Sequence, residues 1–127
     1  MSDLTLLDTD ILIDYLRDYK DAVAYLEGLS EPLLVSTITV AELYSDVREG
    51  KERKALDQFM RAFHKIPIDN DIAVKAGLYR HQYGPSHGVG LADALLAATA
   101  EANDAKVATL NKTHFPMIEA VVPYRKS

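Results

Sequence analysis

Residues 4–16 read Leu-Thr-Leu-Leu-Asp-Thr-Asp-Ile-Leu-Ile-Asp-Tyr-Leu, and the fold class turns on them. The first four make a short apolar run that stops at an acid, which reads as a buried strand ending at Asp8. Asp10 is a helix-capping residue type, and Ile11, Leu12, Tyr15 and Leu16 after it share one helical face, so a helix is expected through about Tyr19.

The rest of the chain repeats this alternation. A helix is expected over 21–29, stopped by Gly28 and Pro32, then a strand over 33–35. Ser36 and Thr37 open a helix carrying Val40, Ala41, Leu43, Tyr44 and Val47, broken at Gly50. Further helices are expected over 52–64, 70–83 and 91–103, the last rich in alanine and suited to close packing. Strands are expected over 66–68 and 106–110, with an edge strand over 120–122. Residues 84–90, GPSHGVG, read as a loop by composition. Strands alternating with helices imply an α/β domain with a mostly parallel sheet. In such sheets ligands bind beyond the carboxyl ends of the strands.

At 127 residues, residues 1–127 are expected to form a single domain with a core large enough to need no crosslinks. The absence of cysteine excludes disulfides, thiolate catalysis and zinc–thiolate sites, and it fits a reducing cytosol. The short apolar run near the N-terminus lacks a basic flank, so no signal peptide is expected, and no stretch has the length of a membrane span. The expectation is a cytoplasmic protein with no membrane partner. A net charge of −5 argues against a basic nucleic-acid binder and suits a protein whose acids hold cations.

Three acids stand where that chemistry needs them. Asp8 follows the first strand. Glu42 lies roughly 7–9 Å along the helix that leaves the second strand. Asp93 is in the first turn of the alanine-rich helix, which descends by about 20 Å. The strand after it climbs back by about 16 Å, which returns Asn111 to the level of Asp93. Asp8, Glu42, Asp93 and Asn111 are therefore expected on one rim. Three carboxylates sharing a site repel one another, and a divalent cation removes the conflict. Hard oxygen ligands favour Mg²⁺ or Mn²⁺ over zinc, and such an ion activates water against a phosphodiester. Singly, each acid has a plainer role. Asp8 can begin a turn, Glu42 can close a capping box with Thr39, and Asp93 can complement a helix dipole.

LLDTDILIDYL around Asp8, STITVAELY around Glu42 and GLADALLAATA around Asp93 resemble the three acidic motifs of PIN domains. VATLNKTHF at 107–115 resembles the segment carrying their fourth position. Motif spacing and chain length are similar to those of VapC-type toxins of toxin–antitoxin pairs, and the likeness covers nearly the whole chain. The resemblance implies a three-layer α/β/α sandwich around a mostly parallel sheet of four to five strands. It implies a Mg²⁺- or Mn²⁺-dependent endoribonuclease that forms a homodimer and is blocked by a cognate antitoxin. Asp8, Glu42 and Asp93 would be its catalytic and metal-binding residues, with Thr9, Asn111 and Lys112 supporting them or touching substrate. Two departures matter. Many relatives carry Asp where this chain has Asn111, a neutral and weaker ligand, so one well-held metal is expected rather than two. Many carry Gly near Asp46, which is one turn after Glu42 and is read as a solvated residue.

Lys112 is within reach of phosphate, although a surface role is commoner. Arg48, Lys51, Arg53, Lys54, Arg61 and Lys65 make a basic stretch interrupted by Glu49, Glu52 and Asp57, which reads as a mixed solvated face. His64, His81, His87 and His114 share no ligand spacing and are read as structural, with His87 the best placed of them to touch substrate. The competing functional reading is a non-catalytic PIN-like module that binds RNA or protein. A phosphoacceptor receiver domain fits poorly, because it leaves Glu42 and Asp93 without a role.

Overall fold

Alternation along the strands sorts the core into two layers. The computed structural model describes residues 4–126, so residues 1–3 and 127 of the expected domain lie outside the described residues. The strands are β1 (Thr5–Leu7), β2 (Leu33–Ser36), β3 (His64–Ile66), β4 (Lys106–Ala108) and β5 (Ala120–Val121). Leu6, Leu34, Val107 and Ala120 point to one side of the sheet; Leu7, Val35, Ala108 and Val121 point to the other. Helices α5 (Asn70–His87) and α6 (Leu91–Ala102) cover the first side, through Ile72, Ala76, Tyr79, Ala94 and Ala97. Helices α1 (Thr9–Leu16), α2 (Lys20–Gly28), α3 (Thr37–Tyr44) and α4 (Lys51–Met60) cover the second, through Ile11, Leu12, Leu26, Leu43 and Leu56. A 3₁₀ turn, Lys112–His114, follows β4. The result is the expected α/β/α sandwich. All five strands are parallel, in the order β3-β2-β1-β4-β5, so β1 is central and both faces are buried.

Several elements differ from expectation, each for a local reason. Helix α1 starts at Thr9, with Asp8 rather than Asp10 as the capping residue, because Ile11 N–H already bonds to the Asp8 carbonyl. Its buried face is Thr9, Ile11, Leu12 and Asp14, while Leu16 is 45% exposed. Helix α3 stops at Tyr44, well before Gly50, which removes the helical register that placed Asp46 one turn beyond Glu42. Its cap is Ser36, whose hydroxyl accepts from Ile38 N–H, so Thr39 and Glu42 form no capping box. Helix α4 ends at Met60 rather than running to His64. Lys65 folds back to donate to the Met60 carbonyl, and residues 64–66 pair with β2.

The largest correction concerns residues 84–90. Helix α5 runs through Pro85 to His87, where composition suggested a loop. Pro85 forfeits one helical hydrogen bond, but Gly84 before it has no Cβ to clash with the proline ring. Gly88 then ends the helix at φ 63°, its N–H bonding to the Gly84 carbonyl.

The C-terminal residues close the fold over α1. Tyr124 Oη and Lys126 Nζ each donate to the Asp14 carboxylate at 2.7 Å. The Tyr124 ring lies 5.6 Å from that of Tyr19. Burial alone would raise the Asp14 carboxyl, but these two donors and the Lys126 charge outweigh it and hold it below its ordinary value. Its ionised form therefore stabilises the fold at neutral pH, and that contribution is lost as pH falls through the depressed folded value. Tyr124→Phe removes one charge-assisted hydrogen bond and is expected to lower stability by about 1–3 kcal/mol in urea denaturation. An unchanged midpoint would show that the clasp contributes nothing.

Candidate active site

The central strand delivers the first acid. β1 pairs with β2 and β4, and Asp8 N–H extends the ladder by bonding to the Ala108 carbonyl at 2.9 Å. Asp8 is thereby fixed at the carboxyl end of the sheet, only 8% exposed. Its side chain caps no helix N–H; instead Oδ2 accepts from Thr109 Oγ1 at 2.7 Å, from the residue just beyond β4. Thr109 Oγ1 also accepts from Asn111 N–H at 3.0 Å, which ties the start of the 3₁₀ turn to Asp8.

Glu42 comes from α3, on the adjacent crossover. Thr9 Oγ1, one residue after Asp8 and buried, donates to Glu42 Oε1 at 2.7 Å and lies 3.0 Å from the buried Thr39 Oγ1. Thr9 thus couples the first acidic motif to the second. Asp93 is the third residue of α6, where the Gly90 backbone N–H at the helix start favours its ionised form. The plainer helix-dipole role of Asp93 therefore coexists with a place in the site. Its Oδ2 lies 3.0 Å from His114 Nδ1.

Asp8, Thr9, Asp10, Glu42, Asp93, Asn111 and His114 line one open cleft of about 470 Å³. The structure brings together five of the residues read from the sequence: Asp8, Thr9, Glu42, Asp93 and Asn111. Lys112 is exposed and does not line the cleft, and neither do Asp46 or His87. His87 instead pairs with Ser86. In the basic stretch two of the six cations are paired, Arg48 with Glu52 and Arg53 with Glu49 and Asp57. Sequence reasoning missed the two other ionisable residues of the lining. Asp10 was assigned to capping, although it stands two residues from Asp8 at the strand end. His114 was set aside for want of ligand spacing, although it lies three residues after Asn111 in a turn.

Electrostatics single out Asp8. Burial pushes its carboxyl up to about 6, with the charges of Asp10 and Asp93 adding to the rise and the Thr109 hydrogen bond opposing it. Burial also raises Asp93, against the lowering influence of His114 and the Gly90 N–H. The cleft therefore concentrates more negative charge than its own dipoles neutralise, and its lining contains no lysine or arginine among the described residues. Its donors are carboxylate, amide and hydroxyl oxygens, the set that hard divalent cations take. Among the described residues, no three His, Asp or Glu side chains are grouped tightly enough to cage a cation unaided. Thr109, Thr9 and His114 each hold one of the three acids. The fit to a cation is one of donor type and charge rather than of a finished cage.

Comparison with known proteins agrees with this layout. The family model for the PIN domain matches residues 5–118. Ribonuclease VapC10 of Mycobacterium tuberculosis is 37% identical, the match covering 94% of this chain and 92% of that protein. Ribonuclease VapC19 of the same organism is 36% identical, over 94% and 98%. Among solved structures, a toxin–antitoxin complex from Klebsiella pneumoniae contains a chain that superposes with a TM-score of 0.84 at 28% identity. That match covers 96% of this chain and 99% of the other.

The raised Asp8 value has a thermodynamic consequence. Its folded pKa of about 6 exceeds the ordinary 3.8, so the ionised form destabilises the fold. That cost is fully present above the folded value and is relieved as pH falls toward the unfolded one. With chelator present, lowering the pH from about 7 to about 4 should stabilise the wild type relative to Asp8→Asn by roughly 2–2.5 kcal/mol. A wild-type-to-variant difference that does not move with pH would show that Asp8 is unperturbed.

Proposed function

The chain belongs to the PIN-domain family, in its VapC branch, and on that premise we propose that it is a Mg²⁺- or Mn²⁺-dependent endoribonuclease. We propose further that it is the toxin of a toxin–antitoxin pair. The observation that carries the metal-dependent reading is the buried Asp8 carboxylate. Its charge is raised in energy by burial and by neighbouring Asp10 and Asp93, in a cleft of oxygen donors. Asp8, Glu42 and Asp93 would hold the cation, with Asn111 at the margin as a neutral partner to its water or to a phosphate oxygen.

When bound, the cation neutralises the acids, polarises a phosphoryl oxygen and makes water a nucleophile near neutral pH. The chain's own residues provide orientation. Thr109 fixes one Asp8 oxygen and with it the plane of the carboxylate. Thr9 holds Glu42 Oε1 and so orients the Glu42 carboxylate in the cleft. The Gly90 N–H favours the ionised form of Asp93 at the start of α6. An acidic cleft accepts a phosphate backbone only once its charge is offset, which also reconciles an RNA substrate with a net charge of −5.

The antitoxin partner is supported by the toxin–antitoxin complex to which this chain is similar. Homodimer formation rests on the family resemblance, and Val74 and Leu78, exposed one turn apart on α5, offer an apolar face for it. No helix among the described residues is long and apolar enough to cross a membrane. A cytoplasmic location follows from the proposed RNA substrate.

A non-catalytic binding module is the second reading, favoured by Asn111 and by the lack, among the described residues, of a ready-made three-residue cage. Purified protein incubated with structured and single-stranded RNA separates the two. The expected result is cleavage with Mg²⁺ or Mn²⁺, none with EDTA, and loss of cleavage in Asp93→Asn with the fold intact. Stable RNA binding without turnover at any metal concentration would establish the module. Equal cleavage by the variant would assign the activity to a contaminant.

A further inference from the structure

His114 stands at the junction of two elements of the cleft, and no acidic motif accounts for it. It ends the 3₁₀ turn after β4, its side chain 33% exposed, and it reaches across to α6. Its Nδ1 is 3.0 Å from Asp93 Oδ2 and 3.0 Å from Asn111 Nδ2. The Asn111 side chain is itself anchored, since Thr113 Oγ1 donates to its Oδ1 at 3.0 Å. The Asn111 backbone is tied through Thr109 Oγ1 to Asp8. A continuous chain of contacts therefore runs from Asp8 through Thr109, Asn111 and His114 to Asp93. It spans the cleft from the central strand to α6.

Donor arithmetic fixes the direction of the His114 contact. An ionised carboxylate only accepts, so Nδ1 must carry the proton toward Asp93. The Asn111 amide nitrogen lies 3.0 Å from Nδ1 and 3.4 Å from Nε2, which places it over the ring rather than on the Nδ1–H axis, so the amide packs against the imidazole without competing for that proton. Asp93 Oδ2 is left as the acceptor beside Nδ1.

We propose that His114 is a positioning residue of the nuclease site, whose Nδ1–H, braced by Asn111, sets the orientation in which the Asp93 carboxylate meets a cation. This rests on the metal-dependent reading above. Removing a group that orients a metal ligand typically weakens metal affinity by about 10–100-fold. The role also gives the neutral Asn111 a function that an Asp there would perform less well. An acid at 111 adds charge beside Asp93, whereas the amide braces the imidazole without adding any.

The test uses the purified full chain and Mn²⁺ alone as probe, with binding followed by calorimetry and the metal-free melting midpoint recorded alongside. An asparagine at 114 places its Nδ2 where histidine has Nδ1, each one bond from Cγ; a glutamine amide reaches one bond further. His114→Ala is expected to weaken Mn²⁺ binding by at least about tenfold. Its metal-free midpoint should be unchanged, and its loss in RNA cleavage should fall on kcat rather than KM. His114→Asn should recover most of the affinity and His114→Gln should not. Wild-type affinity or tighter in His114→Ala, or equal loss in the Asn and Gln variants, overturns the inference. If the wild type binds Mn²⁺ and cuts RNA in those cases, the nuclease reading survives. If the wild type binds no Mn²⁺, both fall.

Discussion

Asp8 is a carboxylate at the end of the central strand, almost out of water, and its charge has to be answered by whatever surrounds it. Parallel β1 is covered on both faces, so its terminus cannot drift toward solvent. The ladder bond from Asp8 N–H to Ala108 fixes the backbone, and the Thr109 hydroxyl fixes the side chain. Neither is strong enough to cancel burial, and the Asp8 carboxyl remains raised to about 6. A residue that costs stability in this way is ordinarily replaced unless something other than the fold requires it.

The neighbouring residues share that constraint. Thr9 is buried because it directly follows Asp8, and from there it reaches Glu42 on α3. Asp93 is pinned by the start of α6, whose alanines let the helix pack closely on the sheet and on α5. The turn after β4 carries Asn111 and His114 back over the same end. Three crossovers therefore deliver oxygen donors to one place, because parallel strands joined by helices all finish on one side. The Asp14 clasp secures the far end of α1, so the helix that begins at the site is held at both ends.

Much of this was legible in the sequence. Apolar runs ending at polar residues located the strands, and the alternating pattern gave the layers. The meeting of Asp8, Glu42, Asp93 and Asn111 followed from element lengths alone. What was hidden depended on contacts that have no sequence period. Pro85 looked like a helix breaker, yet Gly84 beside it makes the helix permissible. Asp10 looked like a cap because capping by the Asp8 backbone leaves no side-chain trace. His114 looked structural because its partner, Asp93, lies 21 residues upstream on another element. Asp46 looked aligned with Glu42 only while α3 was taken to continue past Tyr44.

If the buried charge at Asp8 is there for a cation, the ion must stabilise the folded chain by binding it and not the unfolded one. The most direct measurement is the unfolding free energy at neutral pH as MnCl₂ is titrated, compared between the wild type and Asp8→Asn. At a hundred times its dissociation constant the ion is expected to add about 2.7 kcal/mol to the wild type, and much less to the variant. A wild-type stability indifferent to Mn²⁺, or an equal gain in both proteins, would contradict a cation site built on Asp8.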